Sequence, residues 1–330
     1  MKGYAALFLT VAVLLLLFPL PALPRAASPT APPAESAPPV ESTAPASGEQ
    51  SFRVLAGGEV VSLSEREFLI RTLAFEMPAS YHTEALKAQV VAAYTYYGRQ
   101  RQLHRENPDP TLKGADFATP DEKFPAQYDE TALRQRWGNR YEPNYQKLCA
   151  AVDAVAGRYM TCGGEWIDAC YFALSCGSTE SAAVVWGNDL PYLQPVASPG
   201  DRLSPQFETA VSRTADEVKA ALTQAFPQVA LEGDPAEWLR DPVLSSAGTV
   251  ATLTVGGQTV RGSAVRTALN LRSAAFTYTC RDGTFQFTVH GYGHGVGMSQ
   301  YGADYLARQG YSYDEILRYY YTGITLEPAA

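Results

Sequence analysis

The sequence predicts an α+β fold, a single domain set behind an apolar N-terminal run and a spacer. Three observations carry this. Capped helical spacing opens the body, as in Phe68, Leu69, Leu73 and Ala74 behind Ser64. Short strand-like runs around glycine pairs follow, at Gly163-Gly164 and Gly256-Gly257, with a last alternating run at Phe285-Gln286-Phe287-Thr288-Val289. Composition breaks near residue 50, because residues 24–50 are Pro, Ala, Ser, Glu and Thr with almost no large apolar side chain.

Residues 1–23 carry one early charge, Lys2, then an apolar run from Tyr4 to Phe18 that continues past Pro19 and Pro21 to Leu23. That is about the length of roughly 20 residues that a bilayer requires. A cleavable signal peptide is the alternative, and it needs a small-x-small site. Cuts after Ala26, Ala27 or Ala22 meet Pro24, Arg25 or Leu20 two places earlier. The expectation is an uncleaved single-pass anchor in the cell membrane, with Lys2 inside and the body extracytoplasmic. Residues 24–50 cannot bury enough surface to offset chain entropy and read as a disordered, extended linker. Residues 51–330 form the domain, or two closely packed lobes.

A net charge of −8 with no Lys/Arg cluster among aromatics argues against a nucleic-acid partner. Twenty tyrosines offer aromatic faces with polar tips, which suits a carbohydrate and equally an ordinary half-buried surface.

In the first helix Ser64 is the cap, Glu67 completes a capping box, and Leu63 and Phe68 form a hydrophobic staple. Pro78 pushes Met77 out of the helical region and ends the helix. Glu76 therefore falls in the last turn among Phe75, Met77 and Pro78. The negative end of the helix dipole and an apolar surround both disfavour its charged form. A carboxyl protonated near neutral pH is what a general acid requires. The other reading is a solvated glutamate at a helix end.

A second helix spans roughly Glu84 to Leu103, and a loop-rich insertion with four prolines runs from His104 to Tyr128. Helical patterns follow at Thr131 to Arg136 and at Asn144 to Ala156, the latter with Gly157 as C-cap. Two strands, Arg158 to Thr161 and Glu165 to Ser175, lead into the polar loop Ser175-Cys176-Gly177-Ser178-Thr179-Glu180-Ser181, a turn or a ligand loop. Phe207 to Phe226 reads as helical, the segment to Leu244 has no clear pattern, and Thr249 to Val260 is a hairpin. The alternating strand ends in His290-Gly291-Tyr292-Gly293-His294-Gly295-Val296-Gly297-Met298-Ser299-Gln300-Tyr301-Gly302-Ala303, whose alternate glycines permit positive φ and close approach. A helix starts near Ser299, and Ser312 with Glu315 caps a last one that ends at Gly323. The glycine spacing is not that of a dinucleotide loop.

Glu76-Met77-Pro78 with Glu84-Ala85-Leu86-Lys87-Ala88-Gln89 resembles the N-terminal motif of the stage II sporulation protein D (SpoIID) family. The Ser-rich loop, Val185-Trp186-Gly187, Pro191-Tyr192-Leu193, Asp201, Arg272-Ser273 and above all the His290 to Ala303 run continue the resemblance over most of residues 52–326. It implies a peptidoglycan lytic transglycosylase, a lyase of cell-wall remodelling in sporulation engulfment, with Glu76 as catalytic acid. It further implies peptide-stripped glycan as substrate, an amidase of the SpoIIP type as partner, and a glycan-binding cleft; Ser175, Ser178, Thr179, Glu180, His290, His294, Gln300 and Tyr301 are the candidates that line it. Related LytB-type amidase enhancers carry the same domain and give the alternative of a wall-binding module.

No cofactor and no metal are expected. Four histidines and five cysteines lack C-x-x-C and HExxH spacing. The segment Gly114 to Pro120, where some relatives hold a structural zinc, has neither Cys nor His. A metal-dependent wall hydrolase using His290 and His294 is the remaining rival. Cys176 with His294 as a catalytic pair is disfavoured, and an odd number of cysteines leaves at least one thiol free.

Overall fold

The computed structural model describes residues 50–119, 124 and 128–328. The expected anchor, and the expected linker apart from Gln50, lie outside these residues. Among the described residues no helix is long and apolar enough to cross a membrane.

The chain starts with an antiparallel hairpin, β1 (Ser51–Ala56) and β2 (Glu59–Ser64). Helix α1 (Glu65–Glu76) follows directly, the Ser64 side chain accepting from the Glu67 N–H. Helix α2 (Thr83–Glu106) is the central rod, and its buried face includes Leu86, Gln89, Val90, Val91 and Tyr94. The proline-rich insertion supplies β3 (Phe117–Ala118), parallel to β1. Helices α3 (Glu130–Trp137) and α4 (Tyr141–Ala154) come next, joined by a 3-10 turn at Gly138–Arg140. Phe52, Phe68, Leu73 and Leu86 are almost wholly enclosed, and each is worth about 1.5–3 kcal/mol of burial.

Strands β4 (Tyr159–Cys162) and β5 (Glu165–Trp166) pair around the expected Gly163-Gly164 turn. The expected strand from Glu165 to Ser175 is broken. The N–H of Cys170 turns back onto Asp168 O, and pairing resumes only at β6 (Tyr171–Phe172). After α5 (Ala182–Trp186) the expected helix from Phe207 to Phe226 divides into β7 (Glu208–Thr214) and α6 (Ala215–Ala225). Within β7 Val211 is the one large apolar residue, and the strand alternates between half-buried and exposed positions. Pairing with β12 along its whole length, with one half-buried face, makes it a strand. The helix proper starts at a capping box of Thr214 and Glu217.

The segment without a clear pattern contains β8 (Leu239–Leu244), which pairs with β9 (Val250–Val255) and, through it, β10 (Gln258–Arg261). Helix α7 (Gly262–Ala268) and strands β11 (Phe276–Arg281) and β12 (Thr284–His290) follow, with β12 between β11 and β7. Together β7–β12 and α6–α7 enclose a second core around Trp238, Phe285 and Phe287. The chain then returns to the first core through β13 (Met298–Ser299), α8 (Gln300–Arg308), α9 (Tyr313–Tyr320) and β14 (Thr325–Glu327). The α+β class expected from sequence holds, built on two hydrophobic cores with the second inserted in the chain of the first.

Candidate functional site

Glu76 is the last residue of α1. The helix stops there because Met77 is extended, at φ −131° and ψ 143°, with its N–H still on Leu73 O. Burial raises the Glu76 pKa to about 7, opposed by hydrogen bonds from Gln300 and Tyr171 that favour the charged form. Gln300 Nε2 donates to Glu76 Oε2 at 3.1 Å and lies 3.4 Å from Gln89 Oε1 on α2. The Tyr171 phenol is enclosed, hydrogen-bonded to Tyr97, and held well above its ordinary pKa by burial first and by the nearby Glu76 charge second. The carboxyl is thus oriented by α8 and β6, with α2 holding Gln300. A pocket of about 390 Å³ opens against it, bounded by Pro78, Ser80, Arg136, Trp137, Arg140 and Asn144 among others.

The glycine-rich loop aligns these groups. Gly297 has φ +79°, and a Cβ there would lie 2.0 Å from Cys170 O. That approach lets the Met298 N–H reach Cys170 O at 3.1 Å and pairs β13 with β6 in parallel, Met298 opposite Tyr171 and Ser299 opposite Phe172. Ser299 then caps α8, its Oγ accepting from the Gly302 N–H at 3.2 Å. Gln300 and Tyr171 arrive beside Glu76 through this pairing. The Tyr301 ring meets Tyr81 edge-on at 6.4 Å.

The other sequence candidates divide. His294 is half-buried between Phe172 and Trp186, with ring centroids 5.6 and 5.2 Å away. Burial, and then the Arg266 charge, push its pKa down to about 4, so the ring is neutral at physiological pH. Its Nδ1 accepts from the Val296 N–H. His290 lies elsewhere, beside Phe207, with Nε2 3.1 Å from Glu208 Oε2 across β12 and β7. Among the described residues no group of three or more His, Cys, Asp or Glu is placed to hold a metal ion. All five cysteines are free, and burial raises the Cys176 thiol above its ordinary pKa, the reverse of an activated nucleophile.

In the Ser-rich loop Ser175, Thr179 and Glu180 are buried and Ser178 is half-buried, and the hydrogen bonds of their side chains are internal. Thr179 and Glu180 are 0% and 1% exposed. Glu180 Oε1 accepts from the Ser181 N–H, and Oε2 accepts from the Ser245 and Thr249 hydroxyls at 2.5 and 2.6 Å. Thr179 Oγ1 accepts from the Val196 N–H, and the Ser178 hydroxyl donates to carbonyls, including Val196 O. Ser175 Oγ accepts from the Gly177 N–H. These groups brace the loop, because a buried polar atom needs a partner and the loop supplies its own.

Sequence reasoning missed Tyr171, Gln89 and the role of Asp201. Asp201 is 0% exposed. It accepts from the Ser175 N–H at 3.0 Å and the Ser299 hydroxyl at 2.9 Å, tying the Ser-rich loop to the start of α8. Asp201→Ala leaves both donors buried and unpaired and is expected to lower stability by about 2–4 kcal/mol, read from the urea midpoint. In the sequence Asp201 stood out only as part of the family resemblance, which assigned it no role.

A family model described as "SpoIID: Stage II sporulation protein" matches residues 57–162. The stage II sporulation protein D of Bacillus subtilis (strain 168) is 34% identical over 274 residues, 83% of this chain and 77% of that protein. The protein of that name from Bacillus amyloliquefaciens is 34% identical over 271 residues, 82% of this chain and 76% of that protein. An amidase enhancer of Bacillus subtilis (strain 168) is 29% identical over 299 residues, covering 76% of this chain and 39% of its own length. Identity sustained over this much of both chains makes this protein a member of the stage II sporulation protein D family.

Proposed function

We propose that this protein is a peptidoglycan lytic transglycosylase of sporulation, with Glu76 as its one acid and base. The observation that carries the reading is a carboxyl with a pKa near 7 at a pocket wall, gripped by Gln300 and Tyr171. Protonated Glu76 gives its proton to the glycosidic oxygen between N-acetylmuramic acid and N-acetylglucosamine. The bond breaks toward an oxocarbenium-like centre, which the muramoyl 6-hydroxyl attacks. Ionised Glu76, now favoured by its two hydrogen bonds, takes the hydroxyl proton. The nucleophile is intramolecular, so a second carboxylate is not required as it is in most glycoside hydrolysis. Glu180 is unsuited to that second role, since its carboxyl already accepts three internal hydrogen bonds. Gln300 orients the acid, Tyr301 and neutral His294 shape the cleft, and the Ser-rich loop keeps it rigid. A membrane tether and a SpoIIP-type amidase that strips the strands complete the proposal.

The test is mass analysis of purified stripped glycan after incubation. Transglycosylation leaves 1,6-anhydro-muramoyl ends, lighter by one water than reducing ends. Reducing ends would replace the mechanism with hydrolysis, and unchanged strands would favour the amidase-enhancer reading.

Proton donation requires protonated Glu76, so kcat/KM should fall as pH rises through about 7. Gln300→Leu removes a donor that favours the charged form, and the Glu76 pKa rises further. The alkaline limb of the pH–rate profile is expected to move up by about half to one unit.

A further inference from the structure

The pocket at Glu76 is bordered by cationic side chains. The end of α3, the Gly138–Arg140 turn and α4 place Arg136, Trp137, Arg140 and Asn144 on it. Arg134, close by, is neutralised by Glu130 at 2.7 Å. Arg136 and Arg140 differ: both are exposed, and among the described residues neither forms an ion pair. Arg136 sits over the Tyr128 ring at 5.3 Å, which orients its plane without cancelling its charge. Neither arginine compensates Glu76, whose carboxyl is governed by burial and by Gln300 and Tyr171. In a chain of net charge −8, these two guanidiniums border the pocket without an ion pair among the described residues. Trp137 lies between them in sequence, half-buried, with an apolar face of the kind that covers a sugar ring.

We propose that Arg136, Trp137 and Arg140 form a subsite for a carboxylate-bearing sugar, the free lactyl carboxylate of a muramoyl residue near the cleaved bond. The identity of that sugar rests on the function proposed above. Guanidinium forks match a carboxylate in a bidentate manner, which a neutral amide cannot reproduce. A stem peptide converts this carboxyl into an amide, so the subsite reads the loss of the peptide as a gain of charge.

The experiment measures equilibrium binding to the full chain carrying Glu76→Gln, so that strands are not consumed. The two probes are peptide-free glycan strands and the same strands with their carboxyls converted to methylamides. The Glu76→Gln chain is expected to bind the carboxylate form about 10-fold more tightly, an advantage that shrinks with added salt. Adding Arg136→Gln and Arg140→Gln should remove about 10-fold of affinity for the carboxylate strands and leave the amidated strands unchanged. Both positions are exposed, so an unchanged thermal midpoint is the check on folding. No preference before the arginines are replaced, or an equal loss on both probes afterwards, would overturn the subsite. Product chemistry is read separately with Glu76 intact. Reducing ends there would remove the transglycosylase step without altering the carboxylate preference.

Discussion

Glu76→Gln is expected to lower kcat for release of anhydro ends by at least about 10²–10⁴-fold, the usual worth of a general acid and base. The substitution keeps the size and shape of the side chain and removes the proton, so binding of stripped strands should persist. Glu84→Gln is the comparison. Glu84 lies at the start of α2, where it pairs with Lys87 at 2.7 Å and accepts from the Tyr313 N–H at 2.9 Å. Its loss should act on stability and change kcat little. Near wild-type release of anhydro ends by the Glu76→Gln protein would overturn the mechanism.

The same substitution has a stability signature of opposite sign. The Glu76 pKa is about 7 when folded against an ordinary 4.5. Between those values the folded protein holds a proton that the unfolded chain has released. Stability therefore declines as pH rises through that window, and the penalty is complete above it. Glu76→Gln removes the penalty and is expected to stabilise the protein by about 1–3 kcal/mol above pH 7, with no gain below the ordinary glutamate range. Denaturant midpoints at pH 4 and pH 8 measure the difference.

Gly297→Ala is expected to have the largest effect on the fold, about 4 kcal/mol or more. Two mechanisms add. The residue sits at φ +79°, and its new Cβ would meet the Cys170 carbonyl oxygen at 2.0 Å. That oxygen is fixed, since it accepts from the Met298 N–H and from the Tyr321 hydroxyl at 2.7 Å. Relief requires β13 to move off β6, and with it Gln300 off Glu76. Gly283→Ala is the control, because Gly283 has a similar φ of +70° but no atom within 4 Å of the added carbon. It should cost about 1 kcal/mol. Equal urea midpoints for the two variants would show that backbone strain alone, and not the β13–β6 approach, accounts for the loss.

Local chemistry was legible wherever a residue acts on its chain neighbours. Ser64 caps α1, Ser312 and Glu315 cap α9, and the glycine pairs turn where expected. The strand β7 was not legible, because Val211 is its one large apolar residue and its strand form depends on pairing with β12. Inward or outward orientation of the Ser-rich loop was equally hidden. Its small polar side chains suit a ligand or a self-bracing turn, and the choice depends on Val196, Asp201, Ser245 and Thr249, all distant in sequence.

By itself the sequence determined that α1 ends at a carboxyl, because Pro78 forbids the helix to continue, and that a glycine-rich loop is free to take positive φ and admit a close approach. Both are properties of φ and ψ at single residues. Only the tertiary structure decided that the carboxyl has a raised pKa, since burial outweighs the hydrogen bonds that oppose it, one of them from Gln300, 224 positions away. It also decided which glycine carries the approach, Gly297 against Cys170. Desolvation and steric contact are sums over neighbours in space, and a linear chain does not state who those neighbours are.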